Sequence, residues 1–133
     1  MKKRVAVLLI VWMVCLQSSV FAADWVRVGN GENYIDSETV VKNKKLLWFW
    51  ELSINEKTQD KRLIQYTISL SAPYRVSSYW GYSYNSKNQP QDGILHTHSL
   101  QGPVGEQLKK EITVALGHAK DGEHSEVMPV LPD

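Results

Sequence analysis

Alternation of apolar and polar side chains with a period of two is clearest over residues 45–55. Trp48 and Trp50 fall on one face of this segment, and Leu47 and Phe49 fall on the other. A two-residue period predicts a β-strand, because successive side chains of a pleated strand point to opposite sides of the sheet. Since the first half of the segment is apolar on both faces, we expect a central strand covered on both sides.

Further strands are predicted around this segment from short apolar or alternating runs bounded by turn residues. The predicted strands cover residues 25–28, 34–36, 62–70, 74–84 and, more weakly, 93–98. In the 74–84 strand the even-numbered residues, from Tyr74 to Tyr84, are predicted to share one face. Asp36 or Ser37 is expected to cap a brief helical turn over residues 38–40.

A helical period replaces the two-residue period over residues 103–117. Its stripe of inward-facing positions is apolar at Val104, Leu108 and Ile112 but carries one carboxyl group, Glu111. Gly117 is well placed to end the helix. Because one helix with one apolar stripe packs naturally on a sheet, we predict an α+β fold. The expected architecture is a small antiparallel β-sheet of about five to six strands, with one C-terminal helix packed on one face.

The two ends of the chain are predicted to lie outside this domain, which covers residues 23–117. Residues 118–133 are largely polar and acidic, and such composition predicts a disordered polar tail. Residues 1–22 have the layout of a secretory signal peptide: a basic head, an apolar run over residues 5–16 and small residues before the cut. We expect cleavage after residue 22, with the next bond as the second choice.

The predicted leader implies an exported protein, in the periplasm or at the outer membrane and cell surface. An uncleaved anchor is the less favoured alternative, because the apolar run is shorter than the roughly 20 residues that a spanning helix needs. No later run is long enough to span a membrane. The only cysteine, Cys15, lies in the leader, so the mature domain has no disulfide, thiolate ligand or thiol nucleophile.

The charge balance bears on the class of partner. Loss of the leader's basic head leaves a net charge of about −2, which does not favour binding to a polyanion. Nucleic-acid binding is therefore not expected.

Aromatic residues crowd one short segment. Tyr79, Trp80, Tyr82 and Tyr84 fall within six positions, so some of them are expected to face outward. Exposed aromatic side chains are typical of a binding face or a dimer interface. The alternative is that all four belong to the core, since large aromatic residues provide much of the buried area of a small domain.

Two histidines suggest a different kind of site. His96 and His98 are two positions apart, so a strand would point both imidazoles in the same direction. Imidazole binds zinc, copper, nickel and haem iron, and His118 or His124 is available to join such a site. The alternative is that His96 and His98 are two polar side chains on an edge strand. We predict no metal and no cofactor.

Catalytic motifs are absent from the sequence. It contains no Gly-x-Ser-x-Gly, no His-Glu-x-x-His and no glycine-rich phosphate loop. The carboxylates Asp36, Glu51 and Asp92 are isolated in the sequence, and Asp36 is better explained as a cap than as an acid. We therefore predict that the protein is not an enzyme.

Taken together, several short motifs resemble the surface-adhesin protein E family of Gram-negative bacteria over most of residues 24–117. The motifs are Trp25, Tyr34-Ile35-Asp36, Val40-Val41, Leu46-Leu47-Trp48-Phe49-Trp50, Ile64-Gln65-Tyr66, Tyr82-Ser83-Tyr84-Asn85 and Pro103-Val104-Gly105. The resemblance implies a small antiparallel sheet backed by a helix. The family's named member is a dimeric surface protein that binds host matrix and plasma proteins. This chain departs from the family in lacking the cysteine pair that joins the middle strands to the helix.

The resemblance implies an exported, non-enzymatic binding module whose partner is a host or envelope protein, with a homodimer as a further expectation. The first alternative is a periplasmic structural or accessory protein that belongs to an envelope complex. The second alternative is a metal or haem protein that uses His96 and His98.

Overall fold

The computed structural model describes residues 23–97, 104–125 and 127–133, so the predicted signal peptide lies outside the described residues. Within these ranges the chain forms eight strands and one helix. In chain order they are β1 (Trp25–Arg27), β2 (Asn33–Asp36), β3 (Val41–Lys42), β4 (Leu46–Ile54), β5 (Lys61–Ser69), β6 (Arg75–Tyr84), β7 (Pro90–Thr97), α1 (Glu106–His118) and β8 (Lys120–Asp121).

All eight strands belong to a single sheet. Its main path runs β1-β2-β4-β5-β6-β7, and every neighbouring pair on this path is antiparallel. Strands β2 and β3 pair with the same edge of β4, β3 with its first half and β2 with its second half. Strand β8 pairs with β3 in parallel. The predicted α+β class, with an antiparallel sheet and a C-terminal helix, is confirmed. The strand number exceeds the prediction because β3 and β8 have two residues each, too few to show a period.

Strand β4 lies at the centre of the sheet and is buried on both faces. It pairs with β5 over its whole length, from Leu46 opposite Ser69 to Ile54 opposite Lys61. The prediction of a central strand covered on both sides is confirmed.

Helix α1 covers one face of the sheet, which we call the helix side. Leu47 and Phe49 of β4, together with Ile68 of β5, form a core there with Ile112 and Ala115 of the helix. Gly117 does not end the helix as predicted. The helix continues to His118, and the backbone N–H of Ala119 donates to the carbonyl of Leu116, so the last turn closes without a left-handed residue.

The opposite face of the sheet, which we call the aromatic face, is covered by the C-terminal segment after β8, described over residues 122–125 and 127–133. Trp50 and Leu63 form a second cluster there, against which Leu131 packs. The indole N–H of Trp25 donates to the Val130 carbonyl at 3.0 Å. On the same face the His124 ring stacks on Trp48, with centroids 4.8 Å apart.

The placement of this C-terminal segment differs from the disordered polar tail that composition predicts for residues 118–133. Gln65 of β5 and Asn88 of the turn between β6 and β7 also hold this segment. Gln65 Nε2 donates to the Ser125 carbonyl at 3.1 Å, and Asn88 Nδ2 donates to the Pro132 carbonyl at 3.1 Å. The physical reason is the apolar surface of the sheet against which this segment packs. The apolar side of β4 that bears Trp50 needs a cover, and the few apolar residues of the tail provide it.

A β-bulge divides β6 into two parts, and the even-numbered side chains point to one face of the sheet before the bulge and to the other face after it. Thr67 of β5 lies opposite Ser78, but the next residue, Ile68, lies opposite Val76. The additional residue, Ser77, reverses the alternation. The prediction that the even-numbered residues share a face is therefore wrong, because Val76 packs on the helix side and Trp80 does not.

The turn after β2 depends on Asp36, whose side chain is fully buried. Its carboxylate accepts hydrogen bonds from the backbone N–H of Asp24 at 2.8 Å and of Glu38 at 3.1 Å. The Thr39 hydroxyl donates to it at 2.8 Å. Asp36 acts as a cap, as predicted, but it caps a turn and not a helix.

No helix within the described ranges combines the length and the apolar character that crossing a bilayer requires.

Gly81 of β6 lies directly against the backbone of β5. A Cβ at this position would lie 2.8 Å from the Cα of Ile64 and 2.9 Å from the carbonyl carbon of Leu63. Both are backbone atoms of the central strands, so they cannot move aside as a flexible side chain would. The contact indicates that glycine is required here.

We expect Gly81→Ala to lower the free energy of unfolding by about 1–3 kcal/mol, because the backbone must shift to admit the methyl group. Urea unfolding followed by circular dichroism measures this. The control is Gly117→Ala in the last turn of α1, where no atom lies within 4 Å of the added carbon. The control should be neutral or stabilising by up to about 1 kcal/mol. Equal stability of Gly81→Ala and the unsubstituted protein would contradict the strand packing.

Candidate functional site

The four aromatic residues predicted as a binding face are divided between the two sides of the sheet. Tyr79 packs on the helix side, with its ring centroid 5.8 Å from that of Tyr66. Trp80, Tyr82 and Tyr84 lie together on the aromatic face. The structure therefore brings three of the predicted residues together and separates the fourth.

Trp80, Tyr82 and Tyr84 continue a row of rings that begins at Trp50 of β4. Trp50 and Trp80 meet edge to face, with centroids 5.1 Å apart, and Trp80 and Tyr82 do so at 5.8 Å. Tyr82 and Tyr84 follow at 6.4 Å. Edge-to-face contacts of this kind are favourable because the positive ring edge meets the negative ring face. The row therefore belongs in large part to the core, although Trp80 and Tyr82 remain half-exposed.

Two polar groups of the ring row make hydrogen bonds, whereas the buried indole N–H of Trp50 has no acceptor among the described residues. The Trp80 indole N–H donates to Gln65 Oε1 at 2.8 Å. Burial raises the pKa of the Tyr84 hydroxyl, and the neighbouring Tyr82 adds to the shift. The protonated Tyr84 hydroxyl donates to the sulfur of Met128 at 3.9 Å. These contacts fix the C-terminal segment to the ring row.

Across the ring row, the C-terminal segment exposes apolar side chains to solvent. Val127, Met128 and Val130 are 56%, 40% and 49% exposed, and in the described part of the chain they are the exposed large apolar residues. We call these three residues the apolar strip. Pro129 between them is buried, so the segment is anchored inward while the strip faces water.

The three histidines of the described ranges belong to different parts of the fold. His96 lies opposite Trp80 in the pairing of β7 with β6, and His98 lies outside the described residues. His118 ends α1, and His124 stacks on Trp48. Within the described ranges, no group of three or more His, Cys, Asp or Glu side chains is arranged to hold a metal ion.

A pair of carboxyl groups on the helix side was missed by sequence reasoning. Glu51 of β4 and Glu111 of α1 are only 7% and 1% exposed, and their side chains share a hydrogen bond. We call them the carboxyl pair. Glu51 follows Leu47 and Phe49 on the inward face of β4, and Glu111 falls on the inward stripe of the helix. Both positions were visible in the sequence, but only the fold shows that they meet.

The carboxyl pair holds a proton. Burial raises the pKa of Glu111 to about 10, and the hydrogen bond to Glu51 and its negative charge add to the shift. The side chain of Gln107 opposes the shift in part. Two carboxylates in contact do not both ionise in a site with little water. At neutral pH Glu111 is therefore protonated and donates to Glu51.

Tyr66 of β5 lies beside the carboxyl pair. Burial raises the pKa of its hydroxyl, and the charges of Glu51 and Glu111 raise it further. Arg62 opposes this shift, and Tyr79 adds to it slightly. The phenol therefore stays neutral and offers one donor and two acceptor positions next to the pair.

No family model, curated protein or solved structure matches this chain. The resemblance to the surface-adhesin protein E family stays a prediction from the sequence motifs.

The raised pKa of Glu111 gives the stability a definite dependence on pH. Between the ordinary glutamate pKa of 4.5 and about 10, the folded protein keeps a proton that the unfolded chain has released. Stability contributed by this group is therefore complete at low pH and is lost as the pH rises through this window. The slope for one proton is at most about 1.4 kcal/mol per pH unit.

We expect Glu111→Gln to remove this slope and to unfold at higher urea than the unsubstituted protein at about pH 8. Urea midpoints are measured for both proteins at several pH values. The difference between the two midpoints at each pH isolates Glu111, because the contributions of other titrating groups cancel. The matched control is Glu106→Gln, a change at an exposed carboxylate of the same helix, which should keep the slope. Parallel curves for Glu111→Gln and the unsubstituted protein would show that Glu111 holds no proton.

Proposed function

We propose that the protein is an exported, non-enzymatic binding module, similar to the surface-adhesin protein E family, that binds a protein partner through its apolar strip. The observation that supports this function is the grouping of Val127, Met128 and Val130. The large apolar side chains exposed in the described residues all fall within four consecutive positions. Contiguous exposed apolar surface is typical of protein-binding sites, whereas scattered single residues are not.

The setting of the strip suits recognition of a protein. Its Met128 contacts Tyr84 of the ring row, and the half-exposed Tyr82 lies next to Tyr84. Methionine and aromatic residues are enriched in protein interfaces. The hydrogen bonds from Trp25 and Asn88 hold the segment on the sheet, which lowers the ordering cost of binding.

The partner is an envelope protein if the domain stays in the periplasm, or a host protein if it is displayed on the cell surface. The third alternative partner for the same surface is a second copy of the chain. The predicted leader supports export and does not separate these three.

The strip is tested by placing a photo-cross-linking amino acid at Val127 in cells. The matched control position is Lys110, which is exposed on α1 on the opposite side of the sheet. We expect a discrete cross-linked product from position 127 and none from position 110, because only the strip contacts the partner. The double variant Met128→Ser/Val130→Ser should reduce the yield from position 127.

Mass spectrometry of the product identifies an envelope protein, a host protein or the chain itself, and protease treatment of intact cells shows the compartment. Removal of the domain from intact cells assigns it to the surface, and protection until the outer membrane is opened assigns it to the periplasm. The proposal is wrong if positions 127 and 110 give the same products, or if the double variant leaves the yield unchanged.

A further inference from the structure

The C-terminal segment lies on the aromatic face without joining the sheet as a strand. The backbone N–H of Gly122 donates to the Lys42 carbonyl at 3.2 Å, and beyond Gly122 no backbone-to-backbone hydrogen bond occurs among the described residues. A strand added to the sheet would repeat such bonds at regular intervals. The segment is therefore held as a bound peptide is held, by side chains of the surface beneath it.

Three of these side chains recognise the main chain of the segment. Trp25, Gln65 and Asn88 donate to the carbonyls of residues 130, 125 and 132, at 3.0, 3.1 and 3.1 Å respectively. Every peptide carries main-chain carbonyls, so these contacts recognise the course of the backbone and not the identity of the side chains. A different segment with the same course could make the same three hydrogen bonds.

Two prolines set the course of the backbone. Pro129 and Pro132 are three positions apart, and each fixes its own φ at about −65° and restricts the residue before it to extended backbone. In a polyproline II helix, with about three residues per turn, such prolines point to the same side. Pro129 is buried and Pro132 half-buried, whereas Val130 between them is exposed, in agreement with this geometry. A polyproline II segment has no internal hydrogen bonds, so its carbonyls are free to accept.

The surface beneath the segment is rich in aromatic rings. Leu131, which lies between the two prolines, packs against a cluster whose rings are those of Trp25, Trp50, Trp80, Tyr82 and Tyr84. Segments with the pattern Pro-x-x-Pro dock on aromatic-lined surfaces of this kind, because their extended backbone is already formed and little entropy is lost on binding. The aromatic face thus has the composition and the donors of a polyproline-binding site.

The chain's own segment leaves one donor of this surface unused. The indole N–H of Trp50 is buried and has no acceptor among the described residues, those of the segment included. A buried donor without an acceptor is destabilising, and native structures contain few of them. An occupant that supplies an acceptor to Trp50 would gain a hydrogen bond that the internal segment does not make.

We propose that the aromatic face is a binding site for a Pro-x-x-Pro segment of another protein, and that the chain's own Pro129–Pro132 segment occupies this site as an internal ligand. The incoming segment takes the carbonyl donors and the ring surface that the internal segment releases, and no covalent bond changes. Because the internal segment is tethered, its effective concentration is on the order of millimolar, and a partner must compete with it. This site goes beyond the proposed function and does not rest on the apolar strip, whose side chains are exposed.

Fluorescence anisotropy of a labelled peptide tests the proposal. The peptide has the sequence of residues 125–133 with both valines replaced by alanine, which removes two side chains of the apolar strip, and the control peptide has serine in place of both prolines. The protein is the purified chain, unsubstituted and as Leu131→Ser, which weakens the packing of the internal segment. We expect the proline peptide to bind Leu131→Ser about tenfold or more tightly than the unsubstituted protein, because the internal competitor is weakened. The serine peptide should bind at least about tenfold more weakly than the proline peptide.

Two further substitutions, each made together with Leu131→Ser, locate the bound peptide. Trp25→Phe keeps an aromatic ring and removes the N–H donor, so it should weaken binding by about two- to tenfold, the loss of one hydrogen bond. The matched control is Tyr79→Phe, at a ring that packs on the helix side, which should leave binding unchanged. Circular dichroism of each variant checks that the sheet is formed.

A second measurement uses the unsubstituted protein and so does not depend on the folding of a variant. As unlabelled proline peptide is added to the ¹⁵N-labelled protein up to several times the effective concentration, on the order of millimolar, the amide NMR signals of residues 127–131 should move toward the positions of an unfolded chain. Sedimentation velocity of the same protein determines whether a second copy occupies the site.

The proposal is overturned if the two peptides bind equally, if Trp25→Phe and Tyr79→Phe bind alike, or if the signals of the internal segment stay in place. A dimer whose formation excludes the peptide would also overturn it, because the surface would then belong to a second copy. Failure of the apolar strip is seen separately, in the cross-linking yield at position 127, since this peptide lacks the two valines of the strip.

Discussion

Leu47 and Phe49 on one side of β4, and Trp48 and Trp50 on the other, are all withdrawn from water. A strand that is apolar on both faces forces the fold to provide two covers, since each buried side chain of this size contributes about 1.5–3 kcal/mol. Helix α1 is the first cover. The C-terminal segment, described over residues 122–125 and 127–133, is the second. It is held by hydrogen bonds from Trp25, Gln65 and Asn88 and by the stacking of His124 on Trp48. The bulge in β6 belongs to the same arrangement, because it turns Val76 toward the helix and leaves Trp80 toward the C-terminal segment.

The parts of the fold that show a period over many residues could be predicted from the sequence. Strand β4 is apolar on both faces in its first half and alternates in its second half, and the apolar stripe of α1 repeats, so their type and packing follow directly. The two-residue strands β3 and β8 have no period to detect. The bulge at Ser77 depends on the pairing with β5, and the C-terminal segment is positioned by a surface that only the folded sheet creates. Composition describes this segment as polar, but the burial of Pro129 and the packing of Leu131 decide its position.

The candidate site was predicted only in part for the same reason. Trp80, Tyr82 and Tyr84 share a face, but these aromatic side chains belong largely to the core. The exposed apolar side chains lie instead on the C-terminal segment that crosses the ring row. The carboxyl pair depends on a contact between residues 51 and 111, which no local pattern encodes. The domain thus carries an apolar strip on the segment that covers the aromatic face and a buried carboxyl pair on the helix side.

The central claim is that the C-terminal segment after β8, described over residues 122–125 and 127–133, is a structural cover of the sheet. The most direct measurement compares the full chain with a chain ending at Asp121, by urea unfolding and by tryptophan fluorescence. The account predicts a lower free energy of unfolding and a shift of the emission to longer wavelength, because Trp48, Trp50 and Trp80 lose their cover. Unchanged stability together with unchanged emission would contradict it and would show that the sheet is closed without this segment.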